Sequence, residues 1–217
     1  ILEGTVRPYV LRPEFDPEKP DEPWHSGRKS CKAWLKEQTL PVYTKEENDR
    51  RLRMQAALEG CPLFQALMDA CPEREKTVTA NFMGLNMKCR LDAAGHWEGR
   101  RLIMDLKKTP DGSHRGWGRK ANQFHYDMQI VTYAHILGLS EGLEEPPMVV
   151  HAVVEDSDAA PVTLYSVPQE MWTSGDEKLR KAVKTLQACR EKDYWPAYSD
   201  NEILTPYWRT YNDTPTE

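Results

Sequence analysis

A chain of 217 residues with a formal net charge of −5 is long enough for one domain with a real core, or for a domain plus an arm. The acidic balance excludes a uniformly basic coat for nucleic acid, although not a locally basic groove. Five cysteines, an odd number with no C-x-x-C pair, read as reduced thiols of an intracellular protein and argue against a structural zinc or iron–sulfur site. No apolar run approaches membrane-spanning length and no secretory signal is visible. The sequence opens on Ile1-Leu2-Glu3-Gly4 with no starting Met, so a native beginning upstream is expected.

The first 25 residues are proline-rich and read as an irregular extended arm. Ser26 is the expected cap of a helix whose Cys31, Trp34 and Leu35 make an apolar stripe. Thr44 with Glu47 three residues on is a capping box opening a helix through Leu58. Pro62 opens another short helix carrying Leu63, Phe64, Leu67 and Met68. Lys76 to Phe82 reads as a strand, turned by Gly84-Leu85-Asn86 into Met87 to Asp92. Thr109 to Gly118, rich in Gly and Pro, reads as a loop. A helix is predicted over 120–137, with Phe124, Met128, Val131 and His135 on one side and Tyr126, Gln129 and Tyr133 on another. Met148 to Glu155 is a near-continuous apolar strand, Pro161 to Val167 a further strand, and Pro168 to Lys192 an amphipathic helix. Residues 193–217 read as an extended tail lying against the domain or a neighbouring subunit. The order (helices, three strands, helix, two strands, helix) implies one α/β domain over 1–217 with a mixed central sheet flanked by helices.

The informative stretch is Asp92 to Lys108. Gly95 and Gly99 bracket a turn, and Arg101 to Lys107 is an apolar strand with ionisable residues set into it. With a side-chain period of two, Ile103, Asp105 and Lys107 share a face. A charge on a buried strand is costly unless it is paired or holds a metal. If the two strands form a hairpin, Asp92 comes close to Asp105. Two carboxylates and a lysine at strand ends suit a divalent-metal site with a neighbouring base or water-positioning group.

Asp92, then Asp105-Leu106-Lys107, then Gln129-x-x-x-Tyr133 resemble the PD-(D/E)xK nuclease superfamily and its RecB-like branch. Cys89-Arg90-Leu91-Asp92 and Met104-Asp105-Leu106-Lys107 are most similar to the RecE (exonuclease VIII) type of phage and prophage exonuclease. Leu2-Glu3, Met54 to Leu58 and Trp195 to Tyr198 also look like features of that family. The resemblance implies a restriction-endonuclease-like core and a Mg²⁺- or Mn²⁺-dependent exonuclease of a bacterial or phage-infected cytoplasm. It would degrade one strand of duplex DNA from the 5′ end and leave a 3′ overhang for a RecT-like single-strand annealing protein. A ring-shaped homo-oligomer is implied as well. On this resemblance Asp92, Asp105 and the Leu106 backbone carbonyl would hold the metal. Lys107 would orient or deprotonate water, and Gln129 and Tyr133 would face the site from their helix. Glu75, or else Glu73, is a possible additional acid. A further His ligand of the family would fall before Ile1.

Blander readings stand beside these. Asp105 and Lys107 alone would suit an ordinary salt bridge on a half-exposed strand, and Gln129 and Tyr133 alone a helix surface and core. Arg115, Arg119 and Lys120 are either a solvated loop or phosphate contacts. Trp117 is a candidate to stack on a base. His96, His114, His125, His135 and His151 have no metal spacing and read as structural or exposed. An endonuclease, a RecB-like module of a larger complex, and a non-cleaving DNA-binding protein of the same fold are the alternatives to an exonuclease.

Overall fold

The computed structural model describes residues 8–199. The Leu2-Glu3 pair and the end of the predicted tail lie outside them. The described part of the predicted arm is not irregular. It contains β1 (Val10–Leu11) and a small hairpin of β2 (Phe15–Asp16) and β3 (Lys19–Pro23). Asp16 is buried and anchors the hairpin by accepting from Ser30 Oγ at 2.8 Å and Glu18 N at 3.0 Å. Helix α1 (Lys29–Glu37) follows, with Arg28, not Ser26, at its N-cap. A turn in which Arg28 N donates to His25 O comes first, and the Arg28 guanidinium is taken by Asp16 and Pro23 O.

After β4 (Val42–Tyr43), which pairs in parallel with β1, comes α2 (Lys45–Glu59). Its capping box is present: Glu47 N donates to Thr44 Oγ1 at 3.1 Å and Thr44 N to Glu47 Oε2 at 2.8 Å. Helix α3 (Pro62–Asp69) starts on its proline. Leu58, Phe64, Leu67 and Met68 of these helices pack on one face of the main sheet, against Ala93, Met104, Val150 and Ala152.

That sheet holds β5 (Glu73–Phe82), β6 (Leu85–Trp97), β7 (Arg100–Thr109), β8 (Met148–Glu155) and β9 (Val162–Ser166), side by side in that order. Only β7 and β8 pair in parallel, so the sheet is mixed. The β5–β6 and β6–β7 turns each have two residues at positive φ, Met83 (50°) with Gly84 (83°) and Glu98 (50°) with Gly99 (77°), the geometry whose twist matches the strands. The first turn is therefore one residue earlier than predicted. Gly95 is not in the second turn at all. It lies within β6, where a Cβ would stand 1.8 Å from Ala70 O, so the strand needs glycine to approach the end of α3.

The predicted single helix after the sheet's first three strands is two. Ser113 caps α4 (His114–Gln123) by accepting from Gly116 N at 3.1 Å, and α5 (Tyr126–Glu141) follows. They are separated at His125, which is left-handed with φ 53°. Most of the predicted Thr109–Gly118 loop is thus strand end and helix. Gly116 is tolerated in the helix because a Cβ there would meet the Asp111 carboxyl at 2.1 Å. Helix α5 buries Ile130, Val131, Ala134 and Leu137. Helix α6 (Gln169–Lys192) closes the described elements. The chain divides after Leu179 into two compact units. Among its described residues, the second carries the rest of α6 and the exposed Tyr194, Trp195 and Tyr198. All five cysteines are free. No helix among the described residues is long and apolar enough to cross a membrane.

Candidate active site

The centre of the site is a fork in the sheet. Strands β6 and β7 pair from Trp97↔Arg100 to Ala93↔Met104 and then separate. Asp92 is the first residue beyond the paired part, and its carboxylate bridges the gap: Leu106 N donates to Asp92 Oδ2 at 2.8 Å. Asp105 and Lys107 project together from β7, with Lys107 Nζ 2.5 Å from Asp105 Oδ2. That contact is a close ion pair at an oxygen that is itself buried. Burial raises the Asp105 carboxyl to about 6, against the pull of Lys107 and with help from the Asp92 charge. Lys107 Nζ also stands 4.7 Å from the centre of the Tyr126 ring, on its face.

Helix α5 supplies the opposite wall. Gln129 and Tyr133, one turn apart, meet on one side of the helix, and Gln129 Nε2 donates to Tyr133 OH at 2.8 Å. Gln129 Oε1 is buried with no partner. Burial raises the Tyr133 phenol, the Gln129 bond opposes this, and the charges of Asp105 and Asp92 add to it. Between this helix and β6 lies a cleft of about 590 Å³, lined by Lys88, Arg90, Asp92, His125, Gln129 and Tyr133 among others. Beyond Asp92, β6 has no β7 partner on that edge, which leaves the space open.

The remaining predicted residues fall as follows. Register places Glu75 opposite Asp92, between the pairs Arg74↔Ala93 and Lys76↔Leu91. Its backbone is left-handed, φ 49°, and its carboxylate pairs with Arg90 Nε at 2.9 Å. Glu73 is instead tied to Lys76 and Arg101, away from the fork. Among the described residues no three His, Cys, Asp or Glu side chains converge as a metal cluster. Arg115, Arg119 and Lys120 lie on α4 rather than in a loop. Arg119 pairs with Asp111 at 3.6 Å, and Lys120 Nζ donates to Lys108 O at 2.6 Å. Trp117 is buried between Tyr126 and Tyr165, with ring centres at 5.6 and 6.1 Å, so it is not open to a base. The indole is the hinge of an internal aromatic stack.

His151, for which the sequence suggests only a structural or exposed place, stands beside the site. His151 of β8 is paired in register with Asp105 and is fully buried, its Nε2 3.9 Å from Asp105 Oδ2. Neither ring nitrogen has a hydrogen-bond partner. Burial, reinforced by the Lys107 charge, lowers its pKa to about 4, so the ring is neutral near pH 7. The available signal was a lone ionisable residue inside the apolar run Met148 to Val154.

Comparison with known proteins agrees with this geometry. The model of a family described as "PDDEXK-like domain of unknown function (DUF3799)" matches residues 15–203. Among solved structures, the chain is similar to a "putative exonuclease" from Eubacterium rectale, with a TM-score of 0.53 and 15% identity over 83% of this chain and 71% of that one. A second structure, SSO0001, aligns over 65% of this chain and 60% of that one at 15% identity, with a TM-score of 0.36. No curated protein matches the sequence. The motif, the forked mixed sheet and the family match over most of its length agree, and the chain belongs to the DUF3799 family of PDDEXK-like domains.

Proposed function

We propose that this protein is a divalent-metal-dependent deoxyribonuclease that attacks the ends of duplex DNA, degrading one strand from its 5′ end and leaving a 3′ overhang. The single observation that supports it most is the buried Asp105–Lys107 pair at the fork, with Asp92 bridging the strands and the Gln129–Tyr133 pair opposite. These residues fit a hard cation. They offer carboxylate oxygens, and one of them is a buried carboxylate whose charge is only partly compensated. Asp92, Asp105 and the Leu106 carbonyl would hold Mg²⁺ or Mn²⁺, with Glu75 a further acid within a residue's reach of Asp92. The ion would supply Lewis-acid neutralisation of the scissile phosphate.

The chain's own groups do the rest. Asp92 bridges the two prongs of the fork by accepting from Leu106 N, which orients its carboxylate beside Asp105. Lys107, held between Asp105 and the Tyr126 ring, would orient the attacking water and offset charge at the phosphate. Gln129 has a buried carbonyl to spend on substrate or water, and Tyr133 holds its amide in place. Arg115, Arg119 and Lys120 would contact phosphates. The RecE-like polarity, a RecT-like annealing partner and a ring-shaped assembly belong to the same reading and rest on the sequence resemblance.

Linear duplex labelled at the 5′ or 3′ end, together with a covalently closed circle, tests this in Mg²⁺, Mn²⁺ and EDTA. Early loss of the 5′ label, an intact circle and silence in EDTA are expected. Cutting of the circle would make it an endonuclease, and intact DNA under every condition would overturn the reading.

His151 fits the same scheme as a positioning residue. A closure of about 1 Å from its present 3.9 Å brings Nε2–H into hydrogen-bond range of Asp105 Oδ2. Groups that orient a ligating carboxylate in this way are typically worth about 10- to 100-fold in metal affinity. His151→Leu is therefore expected to fold but to bind Mn²⁺ about 10-fold more weakly by calorimetry, with His151→Gln restoring part of the loss. Equal Mn²⁺ affinity in the Leu variant would remove His151 from the scheme.

A further inference from the structure

The helix break at His125 leaves an aromatic ring where a continuous helix would have turned it inward. Phe124 was expected on the apolar side with Met128, Val131 and His135. It is instead 55% exposed. The cause is local. His125 takes left-handed dihedrals, φ 53° and ψ 41°, at a residue that is not glycine. Such conformations persist where surrounding structure holds them, and they cluster at functional sites.

The exposed ring does not stand alone. Phe124 stacks on Tyr126 with centres 5.8 Å apart and planes 20° apart. Tyr126 stacks on Trp117 at 5.6 Å, and Trp117 on Tyr165 at 6.1 Å. Four rings therefore form one column. Trp117 within it is buried, Tyr165 at its inner end is half-buried, and Phe124 at the other end is exposed. The column passes the chemistry on its way, since Lys107 Nζ lies 4.7 Å from the Tyr126 ring centre. The charge that lies against the exposed ring is positive. Helix α4, which ends at the residue before Phe124, contains Arg115, Arg119 and Lys120 and no acid. Lys120 Nζ is 5.8 Å from the Phe124 ring centre.

We infer that the outer face of Phe124 is a stacking platform for a nucleobase of the strand being cut, so that the column Trp117–Tyr126–Phe124 is continued by DNA. This rests on the nuclease reading above and adds to it the group that receives an unstacked base. An exposed flat ring with the Lys120 ammonium over it suits a nucleotide: the base meets the ring and a phosphate meets Lys120. One ring further in, Tyr126 carries the lysine of the motif. A base on Phe124 thus sets the register of the strand relative to Lys107. Because every base has a π-face, the platform selects an unpaired or frayed terminal nucleotide without selecting sequence.

The test uses the native full chain with Ca²⁺ in place of Mg²⁺, to hold DNA without cutting it, and a duplex oligonucleotide bearing 2-aminopurine at its 5′ terminus. Stacking is read as quenching of the 2-aminopurine and affinity as fluorescence anisotropy of a distal dye. In Ca²⁺, Phe124→Ala is expected to weaken binding about 10-fold and to abolish the quenching. Phe124→Leu, apolar but with no π-face, should lose the quenching as well, and Phe124→Trp should keep it. Quenching that survives in both the Ala and Leu variants overturns the platform while leaving the nuclease reading standing. Failure of the native chain to bind the duplex at all in Ca²⁺ overturns both. A smaller oligomer for Phe124→Ala in gel filtration, with quenching intact, would assign the ring to a subunit contact and also overturn the inference.

Discussion

Asp105→Asn is expected to lower cleavage of linear duplex by about 10³-fold or more while leaving the fold intact. The asparagine keeps the shape of a side chain that is 1% exposed but removes its charge. Two opposing effects then act on stability. Burial raises the Asp105 carboxyl to about 6, so the folded state holds its proton more tightly than the unfolded state, whose value is near 3.8. Between these two values the folded protein binds more protons, and stability falls as pH rises through the window. Above pH 6 the ionised Asp105 is a standing burden on the metal-free fold, which the variant lacks. Against that, Lys107 loses its partner at a position where it is only 13% exposed. The two should nearly cancel, leaving melting temperatures within about 4 °C at pH 7.5. Divalent ions separate the proteins. Mg²⁺ should stabilise the native chain at pH 7.5 and do so less as pH falls through 6, because the carboxylate must be ionised to bind it. The variant should show no such response. An Asp105→Asn protein that still cleaves within 10-fold of the native rate would remove Asp105 from the centre of the chemistry.

The parts of the site carried by strand and helix periodicity were legible in the sequence. Asp105 and Lys107 could be placed on one face because β7 alternates without interruption, and Gln129 and Tyr133 on one helix side because four residues make about a turn. Asp92 needed only the assumption of a hairpin. What stayed hidden depended on single backbone conformations or on distant register. No Gly or Pro marks the break at His125, so one long helix was predicted and Phe124 was placed inside. The glycines of Asp111-Gly112-Ser113-His114-Arg115-Gly116-Trp117-Gly118 suggested a loop. Yet Ser113 caps a helix there, and Gly116 serves a close approach to Asp111. With Trp117 on that helix, its ring turns inward and cannot serve DNA. The pairing of His151 with Asp105 comes from the parallel register of β7 and β8, set by the crossover through α4 and α5, which no local pattern in β8 encodes. Likewise Glu75 is placed by pairing with β6, and its left-handed backbone has no signature in the surrounding Glu73 to Thr79.

Arg101→Met is expected to cost about 3–5 kcal/mol, or about 10 °C in melting temperature for a chain of this size. Arg101 is 8% exposed and is the hub between three elements. Its guanidinium donates to Glu141 Oε2 and Oε1, both at 2.8 Å, to Gly95 O at 2.8 Å, and to Glu73. Methionine preserves much of the stem but leaves Glu73 and Glu141 to share Lys76 alone. The acid limb of the stability curve should change with it. Pairing, with Arg101 foremost, holds Glu141 down at about 2, below its ordinary 4.5. A depressed carboxyl stabilises above its unfolded value, and that contribution is lost as pH falls from 4.5 towards 2. The native chain should therefore lose stability steeply over that range, and the variant, having less to lose, more gradually. The consequence reaches the site through geometry. Arg101 stands four residues before Asp105 on β7, and Glu141 ends the helix that carries Gln129 and Tyr133. The network fixes the angle between that helix and the forked strands, so cleavage should fall about 10-fold even at temperatures where the variant is folded, since small misplacements of positioned groups are expensive. A melting temperature within about 2 °C of the native chain would mean that packing alone sets this angle.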